Sequence, residues 1–163
     1  MNAERISHST SHAESLGMYN VALQAEQLAM RLTGLTSPEQ LDLKDFIRVE
    51  KAGNYDLPID VLCDCNDVLE LVTGKKGVPQ DKSQRLIILS LRERRLMGRS
   101  GFHIHIRTQD MVCNCLTKHA PCEQILKLLL AGCIEFHHPM VVHPPCRLPC
   151  SDISGSDLLG LKD

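Results

Sequence analysis

The chain has 163 residues and a net charge of -2, with 18 Lys/Arg against 20 Asp/Glu. That length holds one ordinary domain, or a small helical module joined to a metal-stabilised one, and excludes two full-sized cores. Five aromatic residues and no tryptophan leave the core to leucine, isoleucine, valine and methionine, so a supplementary staple is expected.

Charge is unevenly spread. Residues 1–74 carry five Lys/Arg against twelve Asp/Glu, whereas residues 75–107 carry nine against two. Such asymmetry marks either a polyanion-facing surface or acidic helices and a basic segment that face each other inside the fold. No stretch reaches about 20 apolar residues, so no membrane span or membrane partner is expected. The opening "MNAERISHSTSHAESLG" lacks the apolar run of a signal peptide, which implies a cytoplasmic or nuclear chain with reduced thiols.

Residues 1–15 are rich in Ser, His and Glu without apolar periodicity and are expected to form a disordered tail. From Leu16 to Leu32, apolar residues recur at helical spacing and Gly34 follows as a stop, which predicts an amphipathic helix. Ser37 as N-cap, Pro38 and Glu39 in the first turn and Gln40 closing a capping box start a second helix that runs to about Lys51 and ends at Gly53. So short a connection predicts a helical hairpin over 16–53, serving as a docking or self-association element or as plain core.

A β-rich unit with one further helix is expected over 54–150. "IDVLCDC" and "DVLELVTG" read as strands, "KKGVPQDKSQ" as a loop, and "RLIILSL" as another apolar β-type run. "RERRLMGRSG" reads as a basic loop or short helix, "FHIHIRTQ" alternates as a half-buried strand, and "APCEQILKLLLAG" reads as a helix ended by Gly132. Residues 151–163 form an acidic, leucine-bearing tail, disordered when free, whose Leu158, Leu159 and Leu161 are candidate protein-binding residues. The fold class expected is thus α+β: an amino-terminal helical hairpin followed by a small zinc-stabilised unit.

Zinc enters through density and spacing. Six of the eight cysteines and six of the eight histidines lie between Phe102 and Cys150. Structural zinc takes four thiolate or imidazole ligands, which arrive in close pairs because a tight turn aims two side chains at one ion. Cys133, His137, Cys146 and Cys150 form one such set, with His138 and His143 competing, and the prolines around Cys146 and Cys150 restrict the loop in advance. A second site joins Cys63 and Cys65 to Cys113 and Cys115, or else gathers Cys113, Cys115, His119 and Cys122 within "CNCLTKHAPC". Four protein ligands leave no open coordination position, so such a site is structural and coupled to folding. Free thiols are the plain alternative.

Two further readings compete. Lys75, Lys76, Arg92, Arg94, Arg95 and Arg99 could track a phosphate backbone by electrostatics, because aromatic residues for base stacking are nearly absent. The same segment could direct nuclear import or be a solvated face. His103 and His105 share a face of their strand and could serve a metal-dependent hydrolase as ligands or as acid and base. "FHIHIRT" is similar to the motif of the histidine-triad nucleotide hydrolases, with Arg107 where the third histidine would stand.

"VLCDCNDVLELV" and "QILKLLLAGCIEFHHP" resemble parts of the small zinc-binding oncoproteins of papillomaviruses, a cysteine pair before an apolar strand and a helix running into a second ligand pair. Those proteins use C-x2-C pairs at a regular separation, which this chain lacks. The resemblance implies a small zinc-stapled regulator or adaptor of viral accessory type that works by binding protein partners.

Overall fold

The computed structural model describes residues 2–37, 41–53, 55–113 and 122–146. The fold is α+β: among the described residues there are five α-helices and one three-stranded sheet. In chain order these are α1 (Asn2–Thr36), α2 (Leu43–Ala52), β1 (Val61–Cys63), α3 (Asn66–Val72), α4 (Lys82–Leu96), β2 (His103–His105), a 3-10 turn over Thr108–Asp110, α5 (Glu123–Ala131) and β3 (Val141–His143). The sheet order is β1-β2-β3, with β1 parallel to β2 and β2 antiparallel to β3.

The first helix begins at Asn2 rather than Leu16, which corrects the disordered tail expected over 1–15. The polar stretch finds tertiary partners there. Gln84 on α4 donates from Nε2 to the Ser11 and Ser15 hydroxyls at 3.0 and 3.2 Å, and Ser15 is fully buried. Serine at helical spacing thus forms a polar seam with α4 that hydrophobic periodicity does not reveal.

Two segments read as strands are helices. In α3, Val68, Leu69 and Val72 are buried, the i, i+1, i+4 set of one helical face, and the Thr73 hydroxyl donates back to the Leu69 carbonyl. In α4 the apolar run continues through "RERR" as one helix, because Gln84, Ile88, Leu91, Arg92 and Leu96 are the buried positions while Leu86 faces out. Asp81 caps it by accepting from the Gln84 amide at 2.8 Å. The unit beyond residue 54 is consequently helix-rich, with strands of only three residues.

The second helix starts at Asp42, whose carboxylate and that of Asp45 form a reciprocal capping box, and not at Ser37. Ser37 instead closes α1, its N–H donating to the Thr33 carbonyl, while Pro38, Glu39 and Gln40 lie outside the described residues. Gly53 and Gly132 end α2 and α5 in the left-handed region, as expected. The two amino-terminal helices do meet, with the Phe46 ring of α2 lying against Gly34 of α1. They share one core with the rest: Met18 of α1 packs with Cys63, Val68, Leu69, Val72, Ile88 and Leu91.

Candidate functional site

The basic segment is largely consumed inside the fold. Arg92 is 2% exposed and donates to the carbonyls of Leu71 at 2.7 Å and Lys76 at 2.6 Å, holding the end of α3 and the loop beyond it. Arg94 pairs with Glu26 of α1 and lies 5.6 Å from the Tyr19 ring centroid, and Arg99 approaches the same carboxylate at 3.8 Å. Arg95 donates to the Pro144 carbonyl at 2.8 Å, and Lys76 bridges Asp67 and Glu70. Lys75 is exposed. The acidic first half and the basic segment therefore face each other through particular pairs.

His103 and His105 do lie on one strand, but the strand packs His103 inward at 2% exposure, opposite His143 of β3 at 4%. Burial, then Arg95 nearby, push the His103 imidazole down to about 4 despite a hydrogen bond to the Gly101 backbone. Burial likewise lowers His143. Among the described residues His103 Nδ1 and His143 Nε2 find no hydrogen-bond partner. Neutral imidazoles closed off in this way fit a packed sheet face more readily than an open acid–base pair.

The cysteine candidates are dispersed among different elements. Cys63 is buried, accepts the Cys65 N–H on its sulfur at 3.3 Å, and has its thiol pushed up to about 12 by burial, so this pair forms a tight turn between β1 and α3. Cys113, Cys122 and Cys133 are exposed and Cys146 is half-buried; all six described cysteines are free. His137 and His138 are both tied to Asp110, whose carboxylate accepts their backbone N–H groups at 3.3 and 3.1 Å and meets His138 Nδ1 at 2.9 Å. Among the described residues no three His, Cys, Asp or Glu side chains are grouped to hold a metal ion. Cys115, His119 and Cys150, and the tail residues Leu158, Leu159 and Leu161, lie outside the described residues.

What the fold does gather is an apolar groove of about 440 Å³. Its floor is α1, through Gly17, Met18, Val21, Ala22 and Ala25, and one wall is β1 with its flanks, Ile59 to Asp64. Met111, Val112, Leu128, Ile134 and Phe136 close the far side. Small residues on α1 leave the space open, and a Cβ added at Gly17 would meet nothing within 4 Å. Asp110 indirectly shapes the far wall, because its bonds to the 137–138 backbone fix the irregular segment that presents Ile134 and Phe136. The only charged side chains lining the groove, among the described residues, are Glu14, Asp60 and Asp64.

Sequence reasoning missed this site because its residues come from α1, β1, α5 and the segments between them, far apart along the chain. The signal was present in part: Gly17, Ala22 and Ala25 are small residues on one stretch of an otherwise leucine-bearing helix. No protein-family model, curated protein or solved structure matches the chain. Among the described residues no helix is long and apolar enough to cross a membrane.

Proposed function

We propose that this chain is a non-enzymatic regulatory or adaptor protein that acts by binding another macromolecule through the apolar groove. The observation that carries this reading is the groove itself: concave, apolar, open and within the size range of ligand-recognising sites. Support also comes from what the other candidates do. The arginines that would contact phosphates are committed to Glu26, Pro144, Leu71 and Lys76, and the imidazole that would serve a hydrolase is buried. Large side chains left exposed, such as Leu129 at 75% and Leu130 at 87% on α5, fit a protein that works through contacts.

Zinc belongs to this proposal as a staple and not as a catalyst. The exposed thiols Cys113, Cys122 and Cys133 and the half-buried Cys146 are free to ligate, and each expected ligand set has at least one member outside the described residues. Purified full-length chain should carry zinc in whole-number ratio, and chelation should lower its unfolding temperature. Metal-free protein that unfolds at an unchanged temperature removes the staple from the reading.

The binding function is tested by affinity purification with the wild-type chain and with Gly17→Leu, a change on the groove floor at a position where an added Cβ meets nothing within 4 Å. A macromolecule retained by the wild type, lost with the variant and re-bound in purified form is the expected result. Equal retention by the two chains would overturn the reading.

A further inference from the structure

We infer that the groove receives an extended, apolar peptide segment of a partner protein, flanked by Lys or Arg, which pairs as an added strand with the free edge of β1. This rests on the adaptor reading and specifies its ligand.

The parity of the β1 hydrogen bonds carries the argument. Val61 donates to the Phe102 carbonyl at 2.9 Å, and the Cys63 carbonyl accepts from the Ile106 N–H at 3.0 Å. One residue earlier in the same parity, the Ile59 carbonyl accepts from Gly101 at 2.8 Å. Odd-numbered residues of this stretch therefore spend their backbone groups on the β2 side. Strand geometry turns the N–H and C=O of Leu62 the opposite way. Since β1 is the first strand of the sheet, those groups stand on an edge that no other described strand pairs, and Leu62 is 38% exposed. An edge of this kind is a template for another strand. Here it forms the wall of an apolar groove, so main-chain pairing and side-chain burial are offered side by side, the combination that strand addition uses.

Charge selects the occupant. Glu14, Asp60 and Asp64 line the groove and, among the described residues, no basic side chain does. Asp60 and Asp64 accept from the Phe102 N–H and the Thr108 hydroxyl and keep their charge, which favours a segment with cationic flanks and disfavours nucleic acid or a fatty carboxylate. A second copy of this chain is disfavoured for the same reason. Pairing two β1 strands antiparallel about Leu62 would set Asp60 of each opposite Asp64 of the other, and like charges directly opposite destabilise a strand pair. The carboxy-terminal residues 151–163 carry three Asp against one Lys, so they too are poorly matched to this rim.

The test pans short random peptides on the full-length chain and re-measures the enriched ones on three variants. Leu62→Pro removes the outward N–H while leaving the bonds of Val61 and Cys63 to β2 in place, and edge strands accept proline. Gly17→Leu fills the floor, and Glu14→Lys reverses part of the rim. Circular dichroism and thermal unfolding establish that each variant is folded.

The expected result is enrichment of alternating apolar sequences with Lys or Arg at their ends. Their affinity should fall roughly tenfold or more in Leu62→Pro and in Gly17→Leu. It should fall by a smaller factor in Glu14→Lys, with weakening at high salt. Binding lost in Gly17→Leu but unchanged in folded Leu62→Pro would overturn strand addition and leave the adaptor reading standing. Enrichment of acid-flanked sequences, or of none, would overturn the assigned partner. So would a dimer in sedimentation that Leu62→Pro dissociates, or a carbodiimide cross-link between Lys162 and Glu14 or Asp60, which would give the groove to a second copy or to the chain's own end.

Discussion

Arg92 Nε donates to the Leu71 carbonyl at 2.7 Å, so a side chain from α4 closes the carboxy-terminal turn of α3. The last carbonyls of a helix lack intrahelical partners, and a buried guanidinium with several donors is well suited to them. Replacing it with Met keeps much of the stem and strands the carbonyls. Arg92→Met should cost about 3 kcal/mol in urea unfolding. A change within experimental error would show that water satisfies those carbonyls equally well.

Gly34 and Phe46 hold α1 and α2 together by close approach. A Cβ at Gly34 would stand 2.7 Å from Phe46 Cζ, too close for the ring to remain where it is. Gly34→Ala should therefore cost about 1 kcal/mol in the wild-type chain. In a Phe46→Leu background the clash is gone, and alanine's better helix propensity should make the same change stabilising by up to about 1 kcal/mol. A double-mutant cycle reads the difference, and simple additivity would refute the contact.

How much of this was legible beforehand depends on what kind of pattern each element shows. The α5 helix and its Gly132 stop were readable because one stretch of sequence contains both the periodicity and the cap. The β2 strand was readable from strict alternation in "FHIHI". By contrast "RLIILSL" looks like a buried strand when cut off from "RERR", and only the tertiary placement of Arg92 inside the core makes the whole run one helix. The polar seam of Ser11 and Ser15 with Gln84 spans about seventy residues of chain, so no local window could show it. The groove was hidden for the same reason: thiols and imidazoles cluster in sequence, while its lining comes from α1, β1, α5 and the segments between.

His103 makes stability depend on pH in one direction. Its imidazole is held neutral down to about 4 in the folded chain, whereas an unfolded imidazole takes up a proton near 6.5. As the pH falls from about 6.5 toward 4, the unfolded state binds a proton that the folded state refuses, and stability declines, by on the order of 3 kcal/mol for the full span. His143 is shifted in the same sense and adds to the slope. His103→Leu should flatten the curve of unfolding free energy against pH in that window. An unchanged slope would assign the effect elsewhere.

Asp110 ties the 3-10 turn to the segment carrying His137 and His138. Burial raises its carboxyl pKa, but hydrogen bonds from the His138 ring and from the backbone of His137 and His138 win, and hold it below the ordinary carboxylate value. The stabilisation is thus present above the ordinary carboxylate range and is lost as the pH falls through the lowered value. Asp110→Ala should release the amides of His137 and His138, seen as faster hydrogen exchange at those two positions. Peptide binding in the groove should weaken with it, since Ile134 and Phe136 lose their support. Unaltered exchange at both amides would count against this coupling.

The register of the sheet carries a consequence for biosynthesis. Val61 pairs with His103, 42 positions later, in parallel. A chain emerging amino-terminus first will have made β1 well before its neighbour exists, and parallel pairing over such a distance is slow to form. For that interval Val61, Leu62 and Cys63 have both flanks open, and a nascent chain stalled there would present two edges of β1 where the finished sheet leaves one.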